Sequence, residues 1–191
     1  MLPRDYVPID VSAVVAAEPA LTWRAVHDLD LMTVRTPLLT ASMWVRGLPA
    51  RLRGRAEPVP PRLTFTGDGD GLPGWLLLGE AEGEELCFGA VGRFWTPTIE
   101  WRPTTLAEFP GFAEPGWGKI ACSLSVRPYG DGRSLLTYEC RTATYDDRSR
   151  RAFARYWRLI RPFVAHIMGA TVRTVKANAE AADRVEAGTI P

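Results

Sequence analysis

From Asp146 to about Ala187 the apolar side chains return with the period of one long α-helix and keep to one side of it. At about 100° per residue, Tyr156, Phe163, Ile167, Ile160, Phe153, Thr171, Val164, Trp157, Val175 and Met168 fall within a single arc. Arg148, Arg151, Arg155, Arg158, Arg173 and Lys176 fall on the opposite side, with Leu159 the main exception. A helix with one oily stripe must lay that stripe on a large apolar partner, so the rest of the chain has to supply such a surface. Asp146 or Asp147 can provide the N-cap. Pro162 projects on the arginine side; its missing N–H frees the carbonyl of Arg158 and bends the helix convex toward solvent. His166 lies on that same wet side. It reads as a solvated or interface histidine rather than a general base, which would have to reach a substrate.

The middle of the chain supplies the partner surface. WLLLGEAEGEELCFGAV is two apolar runs around an Ala-Glu-Gly turn, a hairpin signal. PTIEWRP alternates Ile99 and Trp101 against Glu100 and Arg102, a short strand with Glu100 on its wet face. In KIACSLSVRPYGDGRSLLTYECRT, Ile120, Cys122, Leu124 and Val126 share one face, and Leu136, Tyr138 and Cys140 share it on the return. Centring the turn on Asp131 sets Cys122 opposite Cys140, both inward. Two reduced core thiols explain that pair, since buried cysteine behaves as a small hydrophobe; a redox pair is the alternative. Ahead of the sheet, residues 7–16 read as a strand and Glu18-Pro19 opens a helix, with Trp23 and Val26 on one face. Residues 37–53 read as a second helical region, broken at Gly47 and Pro49. Glu57 to Gly74 and 104–117 read as loops.

A length of 191 residues fits a single domain spanning 1–191, with the last few residues a loose tail. The formal net charge is +1, from 23 basic against 22 acidic residues, which gives no general attraction to nucleic acid. Lys119 and Lys176 are the only lysines; arginine everywhere else, with many alanines, suggests a GC-rich bacterial genome. Asp5 and Asp10 interrupt the one N-terminal stretch resembling an export signal, and no apolar run approaches the roughly 20 residues of a membrane span. Three cysteines without metal-ligand spacing suit a reducing compartment. The expectation is a cytoplasmic protein with no metal or other cofactor.

No G-x-S-x-G elbow, GxGxxG turn, HExxH or CxxC is present, and His27 and His166 are the only histidines. A His27–Asp28 or His27–Asp30 dyad is conceivable near a helix end. Arg93, beside Phe94 and Trp95 in GRFW, reads either as a salt-bridged loop arginine or as the holder of a ligand's acid group. No residue earns a catalytic assignment. Aromatic surface, in contrast, is abundant: five of the seven tryptophans lie between Trp75 and Trp157. Those rings can fill a core, or they can line a cavity between sheet and helix.

The order strand, two short helices, antiparallel strands, long C-terminal helix resembles the START-related (SRPBCC) superfamily, which includes polyketide cyclases and birch-pollen-type allergens. VGRFWTPTIEW, YGDGRSLLTYECRT and FARYWRLIRPF carry the likeness, toward uncharacterised bacterial members. It implies an α+β helix-grip fold: a curved antiparallel sheet wrapped around the last helix, leaving a hydrophobic pocket. It places candidate ligand-binding residues at Trp44 on the second short helix, at Phe88, Trp101 and Tyr138 on strands, and at Trp157, Ile160 and Val164 on the long helix. Phe94, Trp95 and Trp117, with Arg93, fall at strand ends or loops near a mouth.

The function expected is binding, transport or sequestration of a small hydrophobic or amphipathic molecule. One alternative is a cyclase- or dehydratase-like enzyme in the same cavity; another is a structural or regulatory protein that meets a partner through the arginine face.

Overall fold

The computed structural model describes residues 7–29 and 74–188. The helical region read at 37–53, most of the loop from Glu57 to Gly74, and Trp44 lie outside the described residues.

Among the described residues six strands make one antiparallel sheet: β1 (Val7–Val15), β2 (Trp75–Ala81), β3 (Glu85–Arg93), β4 (Glu100–Trp101), β5 (Gly118–Pro128) and β6 (Ser134–Thr144). The strand order is β1-β6-β5-β3-β2, and β4 pairs with β3. Helix α1 (Pro19–His27) follows β1, and helix α2 (Asp147–Ala187) closes the chain. Two hairpins set most of the register. Gly83, at φ 79°, supports the β2–β3 turn, and the β5–β6 hairpin pairs Cys122 with Cys140. That row continues to Phe88 on β3 and Ile9 on β1.

Because alternate residues of a strand share a face, the pairing defines an inner face. It carries Leu86, Phe88 and Ala90 of β3; Ile120, Cys122, Leu124 and Val126 of β5; and Leu136, Tyr138 and Cys140 of β6. Helix α2 lies on this face against β1 and β6, with α1 wedged between α2 and the ends of β5 and β6. The result is α+β, an antiparallel sheet gripping a long C-terminal helix. Pro19 opens α1 behind Glu18, and Leu21, Trp23 and Val26 are its buried apolar residues. A buried hydroxyl pair, Thr22 Oγ1 and Ser134 Oγ at 2.8 Å, ties α1 to β6. Helix α2 runs uninterrupted through an exposed Pro162.

Asp146 joins the start of α2 to the loop that precedes β5. Its Oδ1 accepts from the Ser149 N–H at 2.8 Å, the capping contact, while Oδ2 accepts from the Gly116 N–H at 2.6 Å. The bonds from Ser149, then the one from Gly116, hold its carboxyl down at about 2, from an ordinary 3.8. A carboxyl whose folded pKa is depressed contributes stability above its unfolded value and loses it as pH falls through the folded one. The wild-type melting temperature is therefore expected to fall between about pH 4 and pH 2. Asp146→Ala, less stable at neutral pH, should lose less across that window; thermal melts of both proteins against pH check it.

Candidate functional site

Strand alternation brings the aromatic candidates into two groups on the inner side. The first runs along the sheet. Phe88 lies 6.1 Å from Tyr138 between ring centroids and 5.5 Å from Trp75; Trp75 lies 6.3 Å from Trp101, and Trp101 lies 6.0 Å from Phe94. The second gathers at the start of α2. Phe153 stacks on Trp157 at 5.6 Å and meets Trp95 at 6.2 Å. Trp75 and Phe153, absent from the sequence-derived candidates, are the rings that hold these groups together. Register supplies the signal for Trp75: it sits opposite Ala90, two residues beyond Phe88, and so faces inward.

Burial along the interface is uneven. Phe153 and Trp157 are buried near the start of α2, and Met168, Val172, Val175 and Ala179 are buried in its second half. Between them Ile160, Phe163, Val164 and Ile167 are only partly covered. On the inner face of the sheet, Trp75, Ile120 and Tyr138 are likewise partly covered, although each packs against the core. The apolar stripe of α2 is thus buried near its start and in its second half and half-buried between.

Two polar groups on the inner face are held neutral. Burial, with smaller effects from Cys122 and Cys140, pushes the Tyr138 phenol well above its ordinary range. A hydrogen bond with Cys140, followed by burial, pushes the Cys122 thiol well above its own. The three cysteines are free thiols. Cys87 on the opposite face is raised to about 11 by burial and then Glu85. A thiol held protonated is a poor nucleophile, and Cys122 and Cys140 are both buried among core side chains. Among the described residues no group of three or more His, Cys, Asp or Glu is placed to hold a metal ion.

Arg93 and Trp117 meet each other away from the inner face. Strand parity sends Arg93 to the side opposite Phe88. There its guanidinium lies 4.4 Å from the Trp117 ring centroid, its Nε donates to the Gly116 carbonyl at 3.0 Å, and its Nη1 pairs with Glu100 at 3.0 Å. The arginine fastens β4 and the loop before β5 to the sheet. His27 Nδ1 lies 3.8 Å from Asp28 Oδ1, both side chains being largely exposed. They border an open cleft of about 550 Å³ with Trp23, Arg24, Glu80 and Glu82, apart from the aromatic groups.

No protein-family model matches the chain, and no curated protein does. Solved structures give a likeness of overall architecture. Norcoclaurine synthase from Thalictrum flavum superposes with a TM-score of 0.44 at 12% identity, over 90% of this chain and 85% of that one. The Zhui aromatase/cyclase from Streptomyces sp. R1128 gives 0.37 at 12%, over 96% and 98%. Protein MLL2253 from Mesorhizobium loti gives 0.41 at 10%, over 93% and 99%. At these values the fold stands on the chain's own strand order and on the seat of α2.

Proposed function

We propose that this START-like helix-grip fold binds a small hydrophobic or amphipathic molecule between the inner face of the sheet and the middle of α2. The partial cover of Ile160 and Val164 on α2, and of Ile120 and Tyr138 on the inner face of the sheet, is the observation that supports it. Interiors are normally packed to crystal-like density, so oily side chains that meet incompletely inside a fold leave room for an apolar guest. Phe88, Trp101 and Trp75 extend the wall along the sheet, and Trp95 and Trp157 bound it at the N-terminal end of the helix. The Tyr138 phenol offers a neutral hydrogen bond, suited to a carbonyl or hydroxyl oxygen on the guest.

Filling the space tests the reading. Val164→Trp should lower the affinity for an apolar fluorescent dye about tenfold or more, because the added ring occupies the guest's volume. Its unfolding free energy should stay within about 1–2 kcal/mol of wild type, since an existing void receives the ring. Dye titration and urea unfolding measure the two quantities. Natively purified protein, extracted and examined by mass spectrometry, should release a bound organic molecule. No saturable dye uptake and no extracted molecule would end the proposal.

The neutral phenol on the wall also favours a second reading, a cyclase- or dehydratase-like enzyme in which Tyr138 donates to a substrate carbonyl. Tyr138→Phe separates the two: a carrier keeps dye binding with little change, whereas an enzyme loses turnover while still binding.

A further inference from the structure

The face of α2 that turns from the sheet carries a charge pattern the ligand site does not use. From Arg148 to Ala179 the helix holds seven arginines, one lysine and no acidic residue. Arg148, Arg151, Arg155 and Arg158 are all exposed. Their spacing of three, four and three residues makes one row of about 15 Å on a single side of the helix. Arg150 is paired with Asp147 at 2.7 Å, but among the described residues none of these four makes an ion pair. Leu159 follows Arg155 by four residues and emerges at the end of the row; at 82% it is the most exposed large hydrophobic side chain described. Pro162 beside it is exposed as well.

We propose that this row docks the protein on an anionic lipid bilayer, with the four guanidinium groups on lipid phosphates and Leu159 entering the headgroup boundary. Guanidinium forks take phosphate oxygens two at a time, and basic side chains near an anionic leaflet each add to the attraction. A row of like charges on a regular helix suits a plane of phosphates, which requires no particular register. A leucine at the end of that row can enter the apolar boundary of a bilayer, which a purely acidic protein surface does not offer. The contact is peripheral, because the apolar stripe on the other side of α2 is turned to the rest of the fold. Among the described residues, no helix is long and apolar enough to cross a membrane. With a total formal charge of +1, the attraction is local and screened by salt.

Sedimentation with vesicles decides the matter. Wild type should bind vesicles of equal parts phosphatidylcholine and phosphatidylglycerol at low salt, release them at high salt, and ignore phosphatidylcholine alone. Arg151→Glu/Arg155→Glu should weaken binding about tenfold or more, with circular dichroism and dye uptake unchanged. Leu159→Ser should weaken it without altering the salt dependence. Absence of binding to the mixed vesicles, or equal binding by the double variant, overturns the proposal. Preferential capture by polyglutamate over mixed vesicles overturns it too, and assigns the row to an acidic protein partner.

Discussion

Trp157→Ala is expected to lower the unfolding free energy by about 3–5 kcal/mol, the range for removing a large aromatic side chain from a packed core. Trp157 is 9% exposed and lies nearly parallel to Phe153, with ring planes 22° apart, where the apolar stripe of α2 first meets the sheet. Phe153 is in turn held edge-on by Trp95. Alanine at 157 leaves a hole that the helix backbone cannot close, because α2 is pinned on both sides of it. Asp146 fixes its start. Farther along, Lys176 donates to the Val14 carbonyl and pairs with Glu180, which accepts from the Ala16 N–H. Val164→Ala, by contrast, removes little from a half-buried position and should cost about 1 kcal/mol or less. Urea unfolding of both variants gives the comparison. Similar small losses at 157 and 164 would mean that the proposed site is open along its whole length, with Trp157 one of its walls rather than its closed end.

That contrast separates what local pattern encodes from what it leaves out. The capping aspartate, the extent of α2 and the pairing of Cys122 with Cys140 are all written in short-range periodicity. Each needs only a strand or helix period and one turn to anchor it. The opening of α1 at Pro19 is legible for the same reason. The pairing of β1 with β6 is not, since more than a hundred residues separate them and the closing surface is tertiary. Arg93 shows the same limit. Its neighbours Phe94 and Trp95 could equally well suit a ligand's acid group, and only the return of β4 brings Glu100 alongside. The place of Trp75 depends on register across the β2–β3 hairpin, which its own neighbours in sequence do not encode. Lys119 is the plainest case. Alternation puts it on the outer face of β5, where a lysine is normally solvated, yet it is 2% exposed. Its Nζ donates to the carbonyls of Phe109 and Pro110 at 3.0 Å each. The 102–117 segment lies over that face, and nothing in its Pro- and Gly-rich composition announces a buried cation.

The same covering segment makes Gly89→Val a severe substitution, with an expected loss of about 2–3 kcal/mol, the overpacking range. Gly89 lies on the outer face of β3, opposite Ala121 of β5. A Cβ built there would stand 2.6 Å from Phe109 Cζ, 2.7 Å from the Ile120 carbonyl oxygen and 2.8 Å from Leu78 Cδ1. Phe109 can swing away, at the cost of uncovering the Lys119 ammonium and loosening its two carbonyl bonds. The Ile120 oxygen belongs to the neighbouring strand and can move only by distorting the β3–β5 ladder, which holds the inner-face residues Phe88 and Ile120 in register. The variant should therefore melt at lower temperature and be cleaved by protease within 102–117 while wild type resists. If the glycine merely tolerates its neighbours, Gly89→Val will melt within a degree or two of wild type and show no new cleavage. In that event Phe109 is a passive cover, and the outer segment plays no part in holding the inner wall.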